Sequence, residues 1–161
     1  MAQNYALPQQ FPNVQLLNPA ADAAGRTGAY ITLKNAHKAF VVFHITQGNA
    51  ATILLSLLQA KDVSGTSSKA LANNARWWAA LDQATSDLLV RQTDGVSFTT
   101  DAAVKNKIIV AEIDPAMLDI ANGFVTIAVS TGASNAANIT SAQVFLSVRM
   151  RGDQPPSNIV N

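Results

Sequence analysis

The sequence predicts an all-β fold: a β-sandwich of the jelly-roll kind, with one short helical turn and extended N- and C-terminal arms. Two observations predict it. Short runs rich in β-branched and aromatic residues recur along the chain, each bounded by Gly, Asn, Asp or Ser. Only one place carries a clear helix start, and it is stopped within little more than a turn. About eight short strands with turn-rich connections is the spacing of a sandwich.

Residues 1–28 read as an N-terminal arm. Pro8, Pro12, Pro19, Gly25 and Gly28 break it up, because proline removes ladder donors and glycine costs backbone entropy. No stable element is expected there. Phe11, Val14, Leu16 and Leu17 nevertheless need burial, either over the arm's own domain or on a neighbouring subunit.

Residues 29–153 are the sandwich domain. Residues 29–35 alternate with period two around Tyr30, Ile31, Thr32 and Leu33. Residues 39–47 form a second strand, closed by the Gly48-Asn49 turn. Residues 52–61 are Leu-rich enough for a helix, but their length between turn signals favours a strand with Ile53, Leu55 and Leu57 on one face. After a polar loop come residues 76–82 with Trp77 and Trp78. Residues 88–92 and 96–99 read as a hairpin around Thr93-Asp94-Gly95. Residues 107–113 are a strand. Asp114-Pro115 then starts the helical turn, with Asp114 as cap and Pro115 where a missing N–H costs nothing. Residues 124–131 and 140–151 are the last strands, the latter with Ala142, Val144, Leu146, Val148 and Met150 on one face. Phe43, Ile109, Ile127 and Leu146 are expected on inner faces. Residues 154–161 are a C-terminal tail carrying Ile159 and Val160.

Charged residues make up only 13% of the 161, against about 25% in an ordinary domain. A neutral polar surface is cheap to desolvate and suits lasting protein–protein contact better than steering of a charged ligand. The net charge is +1 and the basic residues are scattered, so the stripe that nucleic-acid binding requires is not visible. There are no cysteines, which fits synthesis in a reducing cytoplasm. The first residues lack the pattern of a signal peptide, and the longest apolar runs are too short to span a bilayer. The expectation is a soluble, unprocessed chain without membrane partners.

Chemistry is hard to place. The two histidines, His37 and His44, have no second ligand at metal-binding spacing. Asp87, Asp94, Asp101, Glu112, Asp114 and Asp119 are dispersed, and nothing in sequence pairs two of them. No nucleophile elbow, phosphate loop or dinucleotide fingerprint appears. Arg151-Gly152-Asp153 spells an adhesion tripeptide that reads as a strand end and turn. Asn138-Ile139-Thr140 is a glycosylation sequon without meaning unless the chain is secreted. Neither an enzyme nor a bound metal or other cofactor is expected. Trp77 and Trp78 are neighbours on a strand and so face opposite ways, one into the core and one out. The outward ring is either covered by a loop or an interface anchor.

Four stretches carry a family resemblance: KAFVVFHITQGNAATILLSLLQAKD at residues 38–62, LVRQTDGVSF at 89–98, IDPAMLDIANGF at 113–124, and the ending with Pro155, Pro156, Ile159 and Val160. Together they resemble small structural proteins of tailed bacteriophages, in particular head decoration (cement) proteins. That resemblance implies a virion protein made in the bacterial cytoplasm and placed on the head surface. Its implied partners are the major capsid protein and copies of itself, as a trimer or other small homo-oligomer. It supplies no catalytic motif. The candidate interface residues are Phe11, Val14, Leu16, Leu17, Trp77, Trp78, Ile159 and Val160. Three other readings remain: a tail or collar component, a carbohydrate-binding jelly roll using a Trp ring, and a sandwich enzyme whose carboxylates converge only in space.

Overall fold

The computed structural model describes residues 7–149 and 156–160. Among these, a four-residue helix α1 (Leu7–Gln10) precedes twelve strands. They are β1 (Asn13–Ala21), β2 (Arg26–Thr27), β3 (Ile31–Thr32), β4 (Ala36–Gln47), β5 (Leu54–Ala60) and β6 (Lys69–Ala70). The rest are β7 (Arg76–Ala80), β8 (Val90–Arg91), β9 (Ser97–Thr99), β10 (Asn106–Ile113), β11 (Thr126–Thr131) and β12 (Asn138–Val148).

The first sheet has the order β1-β12-β4-β10-β7-β8. The second runs β2-β11-β5-β6, with β3 also on β11 and β9 also on β5. All these pairs are antiparallel. Taking β1, β2 with β3, β4, β5, β9, β10, β11 and β12 as strands B to I, the sheets read B-I-D-G and C-H-E-F, the jelly-roll order. The segment from β6 to β8 is an excursion between strands E and F. It widens the first sheet beyond β10.

The core lies between the sheets. β4 alternates buried Ala39, Val41, Phe43 and Ile45 with less buried residues, as a sheet with one covered face must. Ile53, Leu55 and Leu57 are fully buried, so the Leu-rich run is a strand with the expected inner face. Phe43, Ile109, Ile127 and Leu146 are also fully buried. Trp77 sits at the centre, stacked between Phe43 at 6.1 Å and Phe98 at 5.8 Å. Its indole N–H donates to the Gly95 carbonyl at 2.9 Å, which satisfies the one polar atom of a buried Trp.

The N-terminal region corrects the expectation of a segment without stable structure. Residues 13–21 are strand β1, paired along β12 from Asn13↔Phe145 to Ala21↔Ile139. β1 is an edge strand, and Pro19 falls in the register shift between Leu17 and Ala20, where a missing donor breaks no ladder bond. The strand is fastened at its end. Asp22 is fully buried, accepts from Arg26 Nη2 at 2.8 Å, and accepts from the Thr140 hydroxyl at 2.5 Å. Arg26 also donates to the carbonyls of Asn18, Ala20 and Thr140. The Ala29 amide donates to the Leu16 carbonyl, and a Cβ on Gly28 would lie 2.1 Å from that same oxygen. Only glycine lets the chain pass this close.

The expected hairpin at Thr93-Asp94-Gly95 is also corrected. β8 pairs with β7 in the first sheet, whereas β9 pairs with β5 in the second. A three-residue hairpin loop of that kind closes on a residue of positive φ. Among the described residues only Ser67, Gly65 and Gly123 have it. The segment instead crosses between layers, pinned by the Ala75–Gly95 bridge. The strand expected at 29–35 is reduced to β3, Ile31–Thr32. The turn at Asp114 forms as expected: the Asp114 carboxylate accepts from the Ala116 amide at 2.9 Å and Pro115 opens a 3-10 turn, Pro115–Met117. A second such turn, Ile120–Asn122, ends at left-handed Gly123.

Candidate functional site

Strand alternation makes an apolar surface on the side of the first sheet turned away from the core. The inner positions of β4 and β10 are Val41, Phe43, Ile109 and Ala111, so Phe40, Val42, Ile108 and Val110 point outward. Register then sets the neighbours. Val42 pairs with Gln143 and Val110, and Val110 pairs with Trp78, which pairs with Arg91. One strand residue pair along, Phe40 lies between Phe145 and Glu112, with Arg76 beyond. Phe40, Val42, Ile108, Val110, Phe145 and Trp78 thus form one half-buried patch, separate from the core cluster.

Charges sit at its border. Glu112 accepts from Lys38, and Arg76 lies 3.5 Å from the same carboxylate. Arg91 lies over the Trp78 ring at 4.9 Å and pairs with Asp94. The patch is therefore apolar in the middle and locally neutralised at the rim. Sequence reasoning named Trp78 and missed its companions. The signal was present: Phe40 to Phe43 and Ile108 to Val110 are apolar at both parities, which marks strands with something to cover on both faces.

The other candidate residues divide. Leu16 (3% exposed), Leu17 (4%) and Trp77 (0%) belong to the chain's own core, which removes them from any interface. Val14 packs partly against that core, and Phe11 is half-buried. Ile159 and Val160 are exposed, while Asn158 between them and the domain is buried. The Asn158 carbonyl accepts from the Thr32 amide at 2.8 Å, so the tail touches β3 through its backbone. Met150 and the Arg151-Gly152-Asp153 tripeptide lie outside the described residues.

His37 and His44 are exposed. Among the described residues no group of three or more His, Cys, Asp or Glu comes together at metal-binding distance. Two open grooves flank His44: a polar one lined by Asn13, Gln15, Ser141 and Gln143, and a mixed one in which Thr46, Gln83 and Asn106 lie beside Ile108 and Ile139. Neither is lined by Trp, Tyr or Phe, and Trp78 stands two strands from His44 under its arginine.

Other polar groups tie loops to the frame. Lys107, 1% exposed, donates to Gln47 Oε1 at 2.7 Å, to the Ala103 carbonyl at 2.7 Å and to Asp101 Oδ1 at 2.5 Å. This ties the loop before β10 to the end of β4. Asp119 is held below the usual carboxylate range first by Lys69 and then by Asn122, and Asp82 by Lys105. Each is an ion pair at a loop.

No family model matches this chain, and no curated protein matches it. In fold it is similar to the SPBc2 prophage-derived protein YomS, known from a crystal structure. The likeness has a TM-score of 0.50 and 12% identity, over 85% of this chain and 93% of that one. At that identity it concerns fold. No helix among the described residues is long and apolar enough to cross a membrane.

Proposed function

We propose that this chain is a structural, non-enzymatic protein of a phage particle. In this reading it is a decoration or cement protein that stabilises the head by binding the major capsid protein and copies of itself. The observation that carries the reading is the outer face of the first sheet. Six apolar side chains from four adjacent strands form a patch rimmed by paired charges, on a rigid jelly roll. Such a patch gains free energy only when another surface covers it. The fold likeness to a prophage-derived protein and the resemblance to phage head proteins support the same direction. The low charge of the chain lowers the desolvation cost of a large permanent contact.

The test is binding to heads purified without this protein. Wild-type chain should bind them saturably and raise the temperature at which they release their contents. Val42→Lys and Val110→Lys place a charge in the centre of the patch without touching the core, and should lose binding while keeping a native circular-dichroism spectrum. Binding to tails or collars instead of heads would assign the chain to that part of the particle. Wild-type binding that survives both substitutions would remove the face from the account.

A further inference from the structure

We propose that two copies of this chain join edge to edge through residues 87–91, pairing antiparallel about a two-fold axis at Leu89. The proposal rests on the self-association part of the reading above and is independent of the capsid part.

The segment's last two residues, Val90 and Arg91 of β8, form an open edge of the first sheet, and Asp87–Leu89 lead into that edge outside any strand. β8 pairs on one side only, with β7. The Gln92 amide donates to the Trp77 carbonyl at 2.8 Å. In an antiparallel ladder, hydrogen-bonding groups alternate sides along the strand. Gln92 and Val90 therefore bond inward to β7, and Leu89 and Arg91 turn their amides and carbonyls outward. Among the described residues, no hydrogen bond reaches the Leu89 amide or carbonyl. Natural proteins protect such edges with prolines, bulges or charges. β1, at the opposite edge, has Pro19, two register shifts and the Arg26 guanidinium over its carbonyls. This edge has Leu88, Leu89 and Val90 in a row, 66%, 40% and 52% exposed.

The sequence Asp87-Leu88-Leu89-Val90-Arg91 is complementary to itself. Antiparallel pairing centred on Leu89 sets Leu89 against Leu89, Leu88 against Val90, and Asp87 against Arg91. The dyad falls on a residue whose backbone groups point outward, as a hydrogen-bonded pair requires. None of the ion pairs among the described residues includes Asp87, and in each half of the dimer it would join Arg91, which already pairs with Asp94. Arg91 shares a face with Trp78, and extension of β8 back through Asp87 in the paired dimer sets Asp87 and Leu89 on that outer face and Leu88 and Val90 on the inner one. The inner pair borders a pocket with Ala79, Ala80 and Leu81 that opens at this edge. The second copy would close it, and the two outer patches would become one continuous surface.

Sedimentation velocity and single-cysteine cross-linking test this on the full chain. The wild type should sediment as a concentration-dependent dimer. Leu89→Pro removes an outward donor and Asp87→Lys puts two cations together; each should raise the dissociation constant about tenfold or more. Directly opposed residues of this kind have Cα atoms about 5.5 Å apart, within disulfide range. Leu89→Cys should therefore cross-link two chains under mild oxidation, and Leu88→Cys, two residues out of register with itself, should not. If Leu89→Pro does not fold, the cysteine pair decides alone. A wild type that stays monomeric, a dimer indifferent to Leu89→Pro and Asp87→Lys, or equal cross-linking at Leu88 and Leu89 would overturn the proposal. Binding of the same variants to heads is read separately, so loss of the dimer and loss of head binding are distinguishable.

Discussion

Arg91 lies across the ring of Trp78, 4.9 Å from its centroid, and joins the apolar outer face of the first sheet to its open edge. The adjacent Trp77 points the other way, fully buried between Phe43 and Phe98. Two neighbouring tryptophans thus have different roles, and substitution separates them. Trp77→Ala should cost about 3–5 kcal/mol in denaturant-measured stability, through a large cavity. Trp78→Ala should cost on the order of 1 kcal/mol, mainly the lost cation–π contact at a partly exposed site. Equal costs would mean that Trp78 is also core.

Phe43, Ile109, Ile127 and Leu146 come from four different strands and all are fully buried. Replacing any one by Ala should lower stability by roughly 2–5 kcal/mol. A change under 1 kcal/mol at two or more of them would contradict the inner-face assignment.

Gly28 gives a sharper test of the N-terminal strand. Its missing side chain is what allows the chain to pass over Leu16, since a Cβ would meet backbone oxygen at 2.1 Å. Gly28→Ala should destabilise by about 1–3 kcal/mol by displacing β1. Deleting residues 1–20 should do more: it removes Leu16 and Leu17 from the core and uncovers the edge of β12. The truncated chain should lose its cooperative unfolding transition or aggregate. A truncated chain that unfolds like the full one would restore the reading of this region as an arm without a stable element of its own.

Acid should loosen the second sheet's loop contacts. The Asp119 carboxyl sits below its ordinary value of 3.8, chiefly through the Lys69 ammonium and next through Asn122. A carboxyl lowered in the folded state stabilises at pH above the unfolded value, and that contribution is lost as pH falls through the folded value. Unfolding midpoints should therefore fall below about pH 4, and Asp119→Asn should flatten part of that fall. An NMR titration that places the Asp119 carboxyl at or above 3.8 would contradict the ion pair.

Much of the fold was legible because half-buried strands write their alternation into sequence. β4, β10 and β12 each show it, and the cap at Asp114 was visible from two residues. The failures have physical causes. Pro12 and Pro19 signalled irregular chain, yet Pro12 precedes an edge strand and Pro19 lies in one of its bulges, where the missing donor is harmless. Asp94-Gly95 signalled a hairpin, but the neighbouring strands belong to different layers, and pairing partners far away in sequence overrode a local preference. The outer patch went unread because each of its residues looked like one more core residue of a hydrophobic strand. Only register shows that Phe40, Val42, Val110 and Trp78 stand side by side on the wrong side for the core.

The most direct test of the structural-protein reading is a cryo-EM map of phage particles that contain this chain, at side-chain detail. The account predicts jelly rolls on the outside of the head, with the β12-β4-β10-β7 face pressed on the major capsid protein and Val42, Val110 and Trp78 buried in the contact. A map that places the chain away from the head, or on it with that face open to solvent, would contradict the account.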